Sequence, residues 1–262
     1  MALKVDKNSV RSTHFELYKT NNLKNRIKCL TNSLWSYEHL NVVFAYFWHT
    51  LNYKAMKVLL INASPHPKGC TYTALCEVAS ALNANGIETE LMQLGVQPIA
   101  GCIGCAQCRT KGNCFRGDVV NQFVDVADQF DGYVFGSPVH YASADGAITS
   151  FMDRAFYAAS GKMRNKPAAA VVSCRRGGAT AALDQLNKYF TINCMPVVSS
   201  NYWNMVHGST PDDVLKDLEG MQTMRILGNN MAWLLKCIEA GKSAGVPAPA
   251  TEQKVWTNFI KD

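Results

Sequence analysis

From Met56 onward the chain alternates between two rhythms. Short unbroken apolar runs are followed by longer stretches in which apolar residues recur every three or four positions. The runs KVLLINAS (57–64), GYVFGSPV (132–139), PAAAVVSC (167–174) and CMPVVSS (194–200) read as strands. IETELMQL (87–94) alternates apolar and polar like a half-exposed strand. Between them TYTALCEVASALNANG (71–86), VVNQFVDVADQF (119–130), AITSFMDRAFYAAS (147–160) and TAALDQLNKYF (180–190) carry helical spacing, the first ending on Gly86 as a left-handed stop. Residues 211–240 predict one long closing helix, with Thr210 as N-cap and Pro211 in the first turn, where its missing N–H costs nothing. Strands that are apolar throughout are buried on both faces, as in a parallel sheet covered by helices. Five such βα units predict an α/β fold with a doubly wound, five-stranded parallel sheet in three layers.

Composition adds a boundary. The formal charge is +6, but residues 1–55 hold eight Lys and Arg against three Asp and Glu, leaving the other 207 residues nearly neutral. A neutral body carries no nucleic-acid footprint. The expected division is therefore an N-terminal extension (1–55), a domain (56–240) and a tail (241–262) in which Trp256 and Phe259 are free to dock. The extension reads as an appendage or early start, or as an arm reaching a partner subunit through Leu34, Trp35, Phe44, Phe47 and Trp48. No apolar signal region opens the chain, and the run VVFAYFW (42–48) is far short of the roughly 20 residues of a spanning helix. A cytoplasmic location and no membrane partner are expected. In that compartment thiols stay reduced, so clustered cysteines point to metal or redox chemistry.

In a doubly wound sheet, ligands bind beyond the C-terminal ends of the strands. The first loop there, NASPHPKGCTYT (62–73), lacks both the GK[ST] of a P-loop and G-x-G-x-x-G. It offers Ser64, Thr71 and Thr73 hydroxyls, one glycine at Gly69, and a helix opening near Cys70 whose free N–H groups face back into the loop. Those features suit a terminal phosphate held by hydroxyls and helix dipole. The alternative is an ordinary strand–helix turn with Ser and Thr caps.

The stretch SPHPKGCTYT resembles the phosphate loop of flavodoxin-like NAD(P)H-dependent FMN reductases, and GSPVHYASADGAITSFMDR (136–154) is similar to that family's SPVY…K-x-F-x-DR block. The resemblance covers nearly all of 56–240 and is nearest to the iron–sulfur flavoprotein-like and azoreductase-like branch. It implies that Ser64, His66, Gly69, Cys70, Thr71, Tyr72 and Thr73 hold an FMN phosphate. Ser137, Pro138, Val139, His140 and Tyr141 would follow the ribityl chain and one ring edge. Ser173, Cys174, Arg175, Arg176, Gly177 and Gly178 would meet the ring where reduced flavin carries negative charge. Trp203 and His207 are candidates to overhang the ring, or core and cap residues. Catalysis needs no protein acid or base, since the flavin does the chemistry; Tyr141, Arg175 and His207 are the side chains with a possible part in it.

CIGCAQCRTKGNC places Cys102, Cys105, Cys108 and Cys114 at C-x2-C-x2-C-x5-C spacing, similar to the cluster motif of iron–sulfur flavoproteins. A [4Fe–4S] cluster, zinc, or a metal-free loop all remain open, although zinc thiolates usually come as separated pairs. The expectation is an FMN-dependent oxidoreductase using NADPH or NADH, passing electrons to a small quinone, azo, nitro or flavin acceptor, as a homodimer or homotetramer. An iron–sulfur electron carrier and a non-enzymatic thiol or metal sensor are the alternatives.

Overall fold

The structure is a computed structural model and describes residues 55–257 and Phe259 of the chain. Both readings of the N-terminal extension lie outside the described residues. The elements follow in order as β1 (Lys57–Asn62), α1 (Cys70–Ala84), β2 (Glu88–Gln93), α2 (Cys108–Lys111), α3 (Val119–Val126), β3 (Gly132–His140), β4 (Ser143–Ala144), α4 (Gly146–Met163), β5 (Ala168–Cys174), α5 (Ala179–Ile192), β6 (Met205–His207), α6 (Pro211–Lys216) and α7 (Leu218–Ser243).

Five strands pair in parallel in the order β2-β1-β3-β5-β6, and the short β4 folds back antiparallel on β3. This is the doubly wound order expected from the alternation of runs and helices. Successive residues of each central strand serve opposite layers. Leu59, Ile61, Tyr133, Phe135, Ala170 and Val172 join the core under α3, α4 and α5. Val58, Leu60, Val134, Ala169 and Val171 join the one under α1 and α7. Because both faces are covered, every central position must be apolar, and the sequence shows a run instead of an alternation. The edge strand β2 has one neighbour and keeps exposed polar side chains. Among the described residues no helix is long and apolar enough to cross a membrane.

Gly136 lets α1 sit hard against β3. A Cβ there would lie 2.8 Å from Leu75 Cδ1 and 2.9 Å from Thr71 Cγ2. That close approach sets the height of the first loop above the sheet.

Two expectations are corrected. The predicted fifth strand at 194–200 forms a single parallel bridge, Val197 to Ala168. Pro196 has no N–H to give a ladder, so only its carbonyl (from Ala168 N, 2.9 Å) and Val198 N (to Ala168 O, 2.8 Å) are used. The chain then bulges outward, with Ser200 Oγ donating to Tyr202 O at 2.6 Å and Asn204 Nδ2 to Val198 O at 3.4 Å, and rejoins β5 at Met205. The predicted closing helix divides at Asp217, whose ψ of 78° is not helical. Its carboxylate accepts from Gly220 N at 2.9 Å to start α7 and from His207 N at 2.7 Å. A capping box joining Thr210 and Asp213 starts α6, with Thr210 as the expected cap. At its other end α7 runs on to Ser243, into the stretch read as tail.

Candidate functional site

The C-terminal ends of β1, β3 and β5 lie side by side, with Asn62 paired to Gly136 and Pro138 to Ser173. Three loops therefore rise from one edge of the sheet.

The first loop is strapped before it turns. Asn62 is fully buried; its Oδ1 accepts from Ser64 N (3.1 Å) and its Nδ2 donates to Gln93 Oε1 (2.7 Å). Gln93 Nε2 in turn donates to Ser64 O at 2.7 Å. Ser64 Oγ accepts from His66 N at 3.2 Å, which leaves its own proton free. Gly69 stands at the N-cap of α1 with no side-chain cap. The N–H groups of Cys70, Thr71 and Tyr72 thus open the helix without intrahelical partners, a ready anion site. Between Asn62 and Thr73 no carboxylate competes for them. These features fit a phosphate group.

The hydroxyls behave differently. Thr73 Oγ1 donates to Gly69 O at 3.2 Å. Thr71 is 1% exposed and shares a 2.8 Å hydrogen bond with Ser173 Oγ, also buried. Thr71 and Ser173 therefore fasten the first loop to the third; the backbone N–H groups, more than these hydroxyls, face the space above.

The second loop is a two-residue turn. His140 pairs with Ser143, and Ala142 N donates to His140 O at 2.8 Å. Tyr141 sits at its tip with φ +59° and a fully exposed ring. Ser137 is buried; its Oγ donates to Pro138 O (2.8 Å) and accepts from Asp145 N (3.1 Å), so it shapes the turn from within. Asp145 caps α4 through Ala147 N and lies 3.5 Å from His140 Nδ1. In the third loop Arg175, Arg176 and Gly177 are exposed, and nothing lies within 4 Å of a Cβ at Gly177. Gly178 takes φ +89°, and a Cβ there would press on Val139 at 2.9 Å, so loops two and three are in contact. Cys174 is buried, and burial pushes its thiol up in pKa. Cys70 is half-buried, pushed up in the same way, with Sγ donating to Gly208 O at 3.7 Å. Gly208 N donates to Cys174 O at 3.0 Å, which brings the β6 end, with His207, into the same neighbourhood. His207 is held by Asp217, Nδ1 to Oδ2 at 3.6 Å. Tyr202 and Trp203 pack 5.0 Å apart on the outer bulge, both exposed.

The four cysteines of the second-strand loop are free and line one cavity of about 90 Å³, together with Arg109, Phe115, Arg116, Arg154 and Tyr157. Left-handed backbone at Gly104, Ala106 and Gly112 folds the loop round it. Among the described residues no three His, Cys, Asp or Glu are grouped as the ligands of a single ion. A cubane asks for another arrangement, one thiolate on each of four irons, spread round a cavity. Four unbridged cysteines lining one basic cavity offer that donor set.

Sequence reading missed the group that anchors this loop. Arg154 is 2% exposed on α4 and forks onto Asp118, Nη1 to Oδ2 and Nη2 to Oδ1, both at 2.7 Å. Partial burial pushes the Asp118 carboxyl up, but hydrogen bonds from Arg154 and Val120 N pull it further down, below the ordinary carboxylate range. A folded pKa below the unfolded value of about 3.9 stabilises the fold above that pH. The contribution is lost as pH falls through the folded value. Asp118→Asn keeps a good N-cap and breaks the pair. It is expected to lower stability by roughly 2 kcal/mol at pH 7, less than for a fully buried pair because Asp118 is partly exposed. The gap should begin to narrow below about pH 4 and close once pH has fallen through the lower folded value, which urea midpoints at several pH values will show.

The profile of the family described as NADPH-dependent FMN reductase matches residues 56–210. The iron–sulfur flavoprotein MJ1083 of Methanocaldococcus jannaschii is 34% identical over 192 residues, spanning 70% of this chain and all of that protein. An iron–sulfur flavoprotein of Archaeoglobus fulgidus is 29% identical over 174 residues, 65% of this chain and 86% of that one. Among solved structures, the flavodoxin, WrbA-like protein from Agrobacterium tumefaciens superposes with a TM-score of 0.50 at 15% identity, over 70% of this chain and 99% of that one, which bears on the fold alone. With a match over more than half its length and a relative covered end to end, the chain belongs to the NADPH-dependent FMN reductase family, in its iron–sulfur flavoprotein-like branch.

Proposed function

We propose that this protein is an FMN-dependent oxidoreductase that takes a hydride from NADPH or NADH and passes electrons to a small quinone, azo, nitro or flavin acceptor. The observation that carries the reading is the uncapped start of α1, three N–H groups aimed into a loop without carboxylates, at the strand ends where three loops meet. FMN, when bound, supplies the hydride chemistry. Cys70, Thr71 and Tyr72 N–H with the Ser64 hydroxyl would hold its phosphate, and Thr71–Ser173 would keep the first and third loops at fixed separation. The exposed Tyr141 and the Arg175–Gly178 turn would border the ring and leave one face open to a second substrate. Arg175 and Arg176 would favour a reduced, anionic ring.

A second reading has its own support: the four cysteines share a cavity with three arginines, a basic setting for a thiolate-held cluster. In this reading Cys102, Cys105, Cys108 and Cys114 hold a [4Fe–4S] cluster that exchanges single electrons with the flavin. The two readings are compatible in one chain. We place the work in residues 56–240, with 1–55 and 241–262 as appendages, in a cytoplasmic homodimer or homotetramer.

Anaerobic purification with FMN and iron quantitation tests both. Stoichiometric FMN, bleached by NADPH or NADH without any protein electron donor, is expected. Colourless protein that refuses added FMN would overturn the first reading, and iron-free protein after reconstitution the second.

A further inference from the structure

We infer that Arg154 is a positioning residue for the four-cysteine loop, and that its hydrogen bond to Cys114 raises the reduction potential of the group held there. The inference rests on the cluster reading above.

One guanidinium ties both ends of the loop. Its Nη1 donates to Ala100 O at 3.2 Å, two residues before Cys102, and its fork grips Asp118, four residues after Cys114. The remaining Nε points at Cys114 Sγ, 3.3 Å away. The backbone of Cys114 is fixed as well, its N–H on Asn121 Oδ1 (2.9 Å) and its carbonyl on Asn121 Nδ2 (2.8 Å). Cys102 and Cys105 are exposed by contrast, and the contact on Cys102 Sγ is a local one from Gly104 N at 3.4 Å. A buried Arg–Asp pair does little for stability that apolar residues of the same size would not do. What apolar residues cannot supply is an N–H aimed at a sulfur.

A cluster held by four thiolates gains one negative charge when it takes one electron. No bond forms or breaks, and the reductant loses that electron. Part of the added charge resides on the cysteine sulfurs. A cationic N–H already directed at one of them stabilises the reduced form more than the oxidised form, and the potential rises. Lysine at 154 would keep the charge but not the fork and the Nε–H together.

The test uses full-length protein, purified anaerobically and reconstituted with iron and sulfide. Iron, FMN and far-UV circular dichroism are measured first, and the midpoint is then followed by EPR during dithionite titration. Arg154→Lys is expected to keep fold, FMN and iron, with its reduction equilibrium about tenfold less favourable, a midpoint lower by about 59 mV for one electron. Arg154→Gln, shorter and neutral, should lower it further and serves as the second variant if Arg154→Lys does not fold. A merely structural role predicts less iron with an unchanged midpoint in the fraction that remains. An unchanged midpoint in a folded, iron-loaded variant overturns the inference alone. A parent protein without iron overturns the cluster reading and this inference with it.

Discussion

Protein carrying Thr71→Glu is expected to purify without flavin and to stay colourless when FMN is added. The carboxylate would stand at the second residue of α1, among the N–H groups that face the proposed phosphate. Two unit charges about 4 Å apart repel by ~4 kcal/mol at an effective dielectric of 20. That is roughly a thousandfold in affinity, and the phosphate carries more than one charge. Thr71 is also buried against Gly136 and bonded to Ser173, so glutamate must swing outward, into the anion site, to remain solvated. Thr71→Val separates the effects. It keeps the shape, leaves Ser173 without its partner, and should weaken FMN binding only modestly while lowering stability by about 1 kcal/mol. Titration of the apo-proteins with FMN, beside circular dichroism, distinguishes lost binding from lost fold. Normal flavin content in a folded Thr71→Glu protein would remove the anion site from the start of α1.

Phe135→Ala should produce the largest loss of stability among single truncations in the sheet, about 3–5 kcal/mol. The ring is fully buried at the middle of β3. It has four aromatic neighbours, with centroids at 5.3 Å for Phe190, 5.8 Å for Phe156 and 6.3 Å for both Phe123 and Tyr133. These neighbours come from three different helices and from β3 itself, so no single element can slide in to refill the space. Offset ring pairs add roughly 0.5–1.5 kcal/mol each beyond area burial. Because β3 runs on directly into Ser137 and Pro138, the variant should also lose FMN affinity at temperatures where it is still folded. Urea midpoints and FMN titration on the same samples check both effects.

The sheet was readable because burial on two faces forces continuous apolar strands. Leu59 and Leu60 serve different cores, yet both must be apolar, and so with Val134 and Phe135. The edge strand alternates in sequence, but with a single neighbour it buries none of its residues fully and leaves even Leu91 exposed. The last strand was misplaced for a reason equally physical. Val198 is buried and apolar beside β5 while Val197 is exposed, Pro196 limits the stretch to a single bridge, and Met205–His207 is too short to register as a period. The helix break at Asp217 was hidden because an aspartate on a helix surface and an aspartate starting a helix look alike in one dimension.

The first loop was legible in outline, since its place after β1 follows from topology and its lack of carboxylates from composition. The inward use of its hydroxyls was not. Thr71 meets Ser173 across 102 residues, and no local pattern announces that pairing. The cysteine spacing was plain, whereas Arg154 lies 40 residues beyond Cys114 on a helix whose other inward residues are apolar. Its partner Asp118 also caps α3 through Val120 N, a role that by itself gives no sign of the pairing with Arg154.

The strap from Asn62 through Gln93 to Ser64 links the outermost ribbon of the sheet to the turn beneath the proposed phosphate. Gln93 is the last residue of β2, held from one side only, so fraying there would free two hydrogen bonds under the turn at once. Any partner that lengthened the sheet at this rim would stiffen the cofactor cradle from a distance, without touching the flavin.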